Sequence, residues 1–216
     1  MLNRNVSGPN PETSGDPMNP PAIRTLGALT ALGGVVWGTA WIISPSQSGA
    51  NSPIEIWASG VFQIGLLSLL AVMWVTAATG TGRVARNILA AEVVATVLAF
   101  AWTVPYLADA NRPTTGVLVV LDAFWPLSMA GFIVVGVLVA RAKRWPAPLR
   151  YLPLVASLLI PVDIAVSWTP DVVRNAVMGT YLALGYGATG LALIRQAHRL
   201  PTRELTVSSE VPTDAP

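Results

Sequence analysis

The chain has 216 residues, of which 53% are hydrophobic and only 11% charged, and its mean hydropathy is +0.57. Soluble domains carry about 25% charged residues, so too little polar surface is available for a water-soluble fold of this length, and the composition implies an integral membrane protein. The pI is near 9.4 but the net charge is only +2, and with no basic run interleaved with aromatics the sequence excludes nucleic acid as a partner.

Cysteine is absent, which removes disulfides, iron–sulfur ligation and thiolate chemistry. The single histidine, His198, lies beyond the last apolar run, so neither a haem slung between helices nor a histidine metal site is available, and no cofactor is expected. Arginine stands almost alone among the basic residues, Lys143 being the exception, alongside heavy Ala, Val, Gly and Pro use, which suggests the coding bias of a GC-rich bacterium.

In chain order, residues 1–21 carry Pro9, Pro11, Pro17, Pro20 and Pro21 among Asn, Ser and Gly and read as a disordered tail. Six apolar runs fill residues 22–196: Ile23–Ile43, Ile54–Ala78, Ile88–Ala108, Thr115–Ala140, Leu152–Trp168 and Val172–Ile194. Each is near the ~20 residues that cross ~30 Å of hydrocarbon. The first is longer than the roughly 7–15 apolar residues of a signal peptide, so it reads as a retained span and not as a leader cut after Ser48-Gly49-Ala50. The fifth is the shortest and contains Pro153 and Pro161. Residues 197–216 read as a second disordered tail. The fold class expected is all-α: a polytopic membrane protein, a bundle of six transmembrane helices joined by short loops. Short loops make neighbours antiparallel and leave no room for a domain outside the bilayer.

Orientation follows from the basic residues. Arg4, Arg24, Arg83, Arg86, Arg141, Lys143, Arg144, Arg150, Arg195, Arg199 and Arg203 fall on one side, and only Arg112 and Arg174 on the other. This bias predicts a cell-membrane protein with both termini cytoplasmic. Trp41, Trp57, Trp102 and Trp168 fall near outer helix ends, as an aromatic belt does. Gly34 and Gly38, and Gly179, Ala183 and Gly187, make small-residue faces suited to close helix approach, either within one chain or between two copies. The two halves of the chain show no internal repeat.

The polar residues within the runs carry the functional reading. Asp122 lies about 10 Å, Asp163 about 8 Å and Gln63 about 9 Å from the outer end of its helix, counted at ~1.5 Å per residue. Arg174 opens the sixth run on the same side, with Thr180 and Tyr181 a little deeper. A charged side chain in lipid costs about 3 kcal/mol even on the lenient scale, so these groups are expected to face inward, with Arg174 paired to Asp163 or Asp122. Proline has no N–H, so Pro126 frees the carbonyl of Asp122, Pro161 that of Ser157 and Pro105 that of Ala101. Irregular backbone at membrane depth is tolerated where protein or a water-filled cavity receives it. These features predict a polar, outward-opening cavity with Asp122, Asp163, Gln63 and Arg174 as ligand contacts and Trp102, Tyr106, Trp125 and Tyr181 as wall. Glu92, by contrast, reads as a solvated charge near the cytoplasmic end of the third helix, able to snorkel to the interface.

No Ser/His/Asp triad, zincin motif, phosphate-binding loop or dinucleotide fingerprint is present, and no enzymatic activity is expected. The expected partners are the lipid bilayer and a small polar or cationic solute, with a homo-oligomer or another membrane protein also compatible. The competing reading is an accessory or sensory membrane subunit that acts through partner proteins, its buried polar groups being purely structural.

Overall fold

The computed structural model describes residues 20–43 and 52–201. Of the tails expected over 1–21 and 197–216, residues 1–19 and 202–216 lie outside the described residues, as does the Ser48-Gly49-Ala50 sequence, whereas Pro20 and Pro21 belong to the first helix. Among the described residues the regular structure is all helical, with no strand: α1 (Pro20–Ile43), α2 (Pro53–Val75), α3 (Arg83–Ala108), α4 (Val117–Asp122), α5 (Phe124–Ala142), α6 (Leu152–Ser157), α7 (Leu159–Val166) and α8 (Asp171–Gln196). Five segments are long and apolar enough to cross a membrane: α1, α2, α3, the α4–α5 unit and α8. The stretch through α6 meets α7 at a bend of 45°, and this pair makes a sixth if it is taken as one broken span. Large aliphatic side chains stay exposed along the helices, Leu184, Ile164, Val120 and Val155 among them. Such a surface suits lipid rather than water.

Helix boundaries follow from local chemistry. Pro20 and Pro53 open α1 and α2 at a position where a missing N–H costs nothing. The Ser52 amide donates to Glu55 Oε2 at 3.4 Å, half of a capping box. The chain remains ordered past the expected end of the sixth run: Ala197–Arg199 makes a 3-10 turn, and Ala197 and Leu200 are buried.

The expected proline breaks fall in two of three places. α4 ends at Asp122 and α5 restarts at Phe124, with Pro126 in its first turn; α6 ends at Ser157 and α7 restarts at Leu159, with Pro161 in its first turn. Proline lacks the donor that would have closed each preceding turn, and it is tolerated at the start of the next helix. α3, in contrast, runs unbroken through Pro105. Only one turn remains beyond it, so little helix is left to misalign.

In space the helices form a closed ring: α1 packs on α2, α2 on α3, α3 on α5, α5 on α6, and α6 and α7 on α8, which returns to α1. The α1–α8 contact resolves the small-residue faces as an interface within one chain. A Cβ placed on Gly38 would come within 2.9 Å of the Ala183 nitrogen, one on Gly34 within 3.0 Å of the Leu182 carbonyl oxygen, and one on Gly27 within 2.9 Å of the Gly190 carbonyl oxygen. Thr30 Oγ1 donates across to the Gly65 carbonyl at 3.2 Å, tying α1 to α2. The ring encloses an apolar interior that includes Phe62, Leu66, Leu69, Met73, Met129, Phe132, Leu182 and Tyr186. At the arginine-rich end, Trp145 is fully buried and its Nε1 donates to Thr76 Oγ1 at 2.9 Å.

Candidate functional site

At the end of the bundle opposite the arginine cluster, the helix termini splay around a cleft of about 560 Å3. Its chemistry comes from six helices. α1 supplies Trp37 and Trp41, α2 Glu55 and Ser59, α3 Trp102 and Thr103, α4 Asp122, α5 Trp125 and Pro126, and α8 Asp171, Arg174 and Asn175.

The tryptophans form a connected wall. Trp37 stacks on Phe62 at 4.5 Å between ring centroids and meets Trp41 and Trp125 edge-on at 6.1 and 5.7 Å. Phe62 in turn meets Tyr186 edge-on at 4.9 Å. Offset and edge-to-face geometries of this kind fix ring orientation. On the far side Trp102 packs on Tyr106 at 4.5 Å. Its indole Nε1 is buried with no acceptor among the described residues.

The charges are unequal in their bonding. Arg174 is held by Asp163 of α7 in a two-pronged pair, Nε to Oδ1 and Nη2 to Oδ2, both at 2.7 Å. This geometry matches the guanidinium fork to the carboxylate and neutralises Arg174. Glu55 and Asp171 stand in the first turns of α2 and α8, where a helix N-terminus favours negative charge. Asp122 has no such support: it is the last residue of α4, and its carboxyl group makes no hydrogen bond or ion pair among the described residues. Besides the paired Arg174, the charged residues lining the cleft are the acids Glu55, Asp122 and Asp171.

The eight residues singled out from the sequence separate into two groups. Asp122, Trp102, Trp125 and Arg174 line the cleft. Asp163 stands behind it, reaching it only through Arg174. Gln63 is buried beneath: its Oε1 accepts from Thr103 Oγ1 at 2.8 Å, and its Nε2 has no protein partner. Tyr106 is buried behind Trp102, its hydroxyl 2.5 Å from that of Thr114. Tyr181 faces away from the cleft, donating to the Val155 carbonyl of α6. Trp37, Glu55 and Asp171 line the site without having been singled out. Their residue types carried the signal, a tryptophan and two acids near helix ends on one side, but only the order of helices in the ring brings them together. No group of three or more His, Cys, Asp or Glu residues suited to a metal ion occurs among the described residues.

Fold and cleft together define a class, a multi-helix chain with the apolar helices of a membrane-embedded protein and an acidic, tryptophan-walled cleft at one end. No family model, curated protein or solved structure matches the chain.

Proposed function

We propose that the chain is a six-span protein of the cell membrane, with both termini cytoplasmic, that binds a small polar or cationic solute in its outer cleft as a receptor or carrier rather than as an enzyme. The observation that carries this reading is Asp122, a carboxylate with no protein partner in a cleft walled by four tryptophans. A lone acid beside indole faces is the chemistry that recognises a cation: the carboxylate supplies charge and the rings supply cation–π attraction. Glu55 and Asp171 line the same cleft and add to the same field.

The tryptophans provide the measurement. Purified protein is titrated with tetramethylammonium, choline and guanidinium, with tert-butanol as an uncharged control, and indole fluorescence is followed. The expected result is a saturable change with at least one cation and none with tert-butanol. Asp122→Asn should weaken that affinity about 10-fold or more, equivalent to ~1.4 kcal/mol or more. If no cation gives a saturable response, or Asp122→Asn binds like the wild type, the reading fails and the accessory-subunit alternative takes its place.

A further inference from the structure

Glu92 contradicts its sequence reading. Instead of snorkelling to the interface it is 4% exposed. α3 begins at Arg83, so Glu92 sits about 14 Å along the helix from the arginine-rich end. Its Oε1 accepts a hydrogen bond from Thr96 at 3.3 Å. Its Oε2 lies against α5 at Gly131, where an added Cβ would collide with the carboxyl group, its carbon being 2.9 Å away. The glycine is what lets a carboxyl pack onto the neighbouring helix backbone. Tyr186 of α8 lies within electrostatic reach, and its hydroxyl is buried with no partner.

The facing elements supply no cation. α5 presents backbone at Gly131, and its one charged residue, Arg141, is exposed near its far end. α8 presents the neutral phenol of Tyr186, while its Arg195 is exposed and its Arg174 is bound to Asp163 at the opposite end. α2 has one titratable side chain, Glu55, at the cleft. On α3 itself Arg83 and Arg86 are exposed at the helix start. A carboxylate buried among helices without a counter-charge is costly, whereas a neutral acid with one hydroxyl donor and a phenol nearby is readily accommodated.

We propose that Glu92 is an intramembrane proton-binding site, held as the neutral acid in the closed bundle, whose proton exchange is linked to the spacing of α3, α5 and α8. The step is carboxylate plus H+ from water giving carboxylic acid; only the O–H bond forms or breaks. Ionisation requires water at the carboxylate, and water reaches it when the Glu92–Gly131 contact loosens. Those same three helices carry Thr103, Trp125 and Arg174 to the cleft. A solute that changes their spacing at the cleft therefore changes the proton affinity at Glu92, and by reciprocity the proton changes solute affinity. This coupling rests on the reading of the cleft; the proton site does not.

The test uses the full chain in lipid nanodiscs. Infrared spectra of the wild type at neutral pH should contain the C=O stretch of a protonated carboxylic acid, absent from Glu92→Gln and shifted in frequency in Glu92→Asp. The wild-type Tm should fall by several degrees from about pH 6 to about pH 9, because the unfolded chain is already ionised there and the folded chain still holds the proton. Glu92→Gln should show no such fall. Absence of the acid band from the wild type, its persistence in Glu92→Gln, or parallel melting of the two proteins overturns the proton site. If Glu92→Gln does not fold, the wild-type band and its Glu92→Asp shift decide. For the coupling, tetramethylammonium affinity should change several-fold between about pH 6 and about pH 9 in the wild type and stay constant in Glu92→Gln. A pH-independent wild-type affinity overturns the coupling alone. If none of tetramethylammonium, choline and guanidinium binds at any pH, the cleft reading fails, while the infrared result still decides Glu92.

Discussion

Where α1 crosses α8, glycines bring two backbones into contact; where α4 gives way to α5 and α6 to α7, prolines interrupt the chain's own ladder. Both residue types weaken an isolated helix, yet they act in opposite directions here. At Gly34 and Gly38 the absent side chain is replaced by the neighbouring helix, so the space is filled and the contact cannot be deformed cheaply. At Pro126 and Pro161 the absent N–H is replaced by nothing from the same helix, and the helix is interrupted just before each, with a 45° bend between α6 and α7. One side of the ring is a fixed frame and the other a set of short, jointed pieces. Asp122 and Asp163 both belong to the jointed side.

This contrast can be broken most severely on the frame. Gly38→Leu should destabilise the protein by about 3 kcal/mol, because the new side chain must displace the α8 backbone at Gly179 and Ala183. Unfolding in a titration of denaturing detergent against mild detergent would measure it, and a loss below ~1 kcal/mol would mean the α1–α8 contact is not a rigid one. An intermediate effect is expected where the two sides meet. Arg174→Ala removes a pair whose members are 35% and 30% exposed, so the cost in the same titration should be about 1 kcal/mol. The smallest change is expected within the jointed side. Pro161→Ala restores a donor for the Ser157 carbonyl and should cost or gain less than about 1 kcal/mol, while narrowing the 45° bend. Distances between spin labels at exposed Val155 and Ile164 would report that narrowing; an unchanged distance would assign the bend to packing rather than to proline.

Much of this architecture is legible in the sequence because the bilayer imposes length and polarity at once. The starts and ends of α1, α2, α4–α5 and α8 fall within a few residues of the apolar runs. The breaks at Ala123 and Leu158 follow from the missing proline N–H. Pro105 misleads because position within the helix decides the outcome, and only three residues of α3 lie beyond it. For the site, depth along a helix is readable and direction around it is not. Tyr181 and Tyr106 have the right height and the wrong azimuth, one turned to α6 and the other tucked behind Trp102. Trp37 and Glu55 needed the ring order, which places α1 and α2 beside α8 and α3. The burial of Glu92 escapes a hydropathy reading because the apolar run of the third helix begins at Ile88 while the helix itself begins at Arg83. The polar residues between are wound into the helix and lower the acid by more than a turn.

Beneath the cleft, Trp37, Phe62 and Tyr186 lie ring against ring, and below them α2 fills the axis with Leu66, Leu69, Leu70 and Met73, each no more than 1% exposed. The vestibule thus has a floor. A guest that enters must leave by the mouth it came through unless the three rings restack, so passage to the far side of the bilayer would show first as a rotation of Phe62 off the Trp37 face.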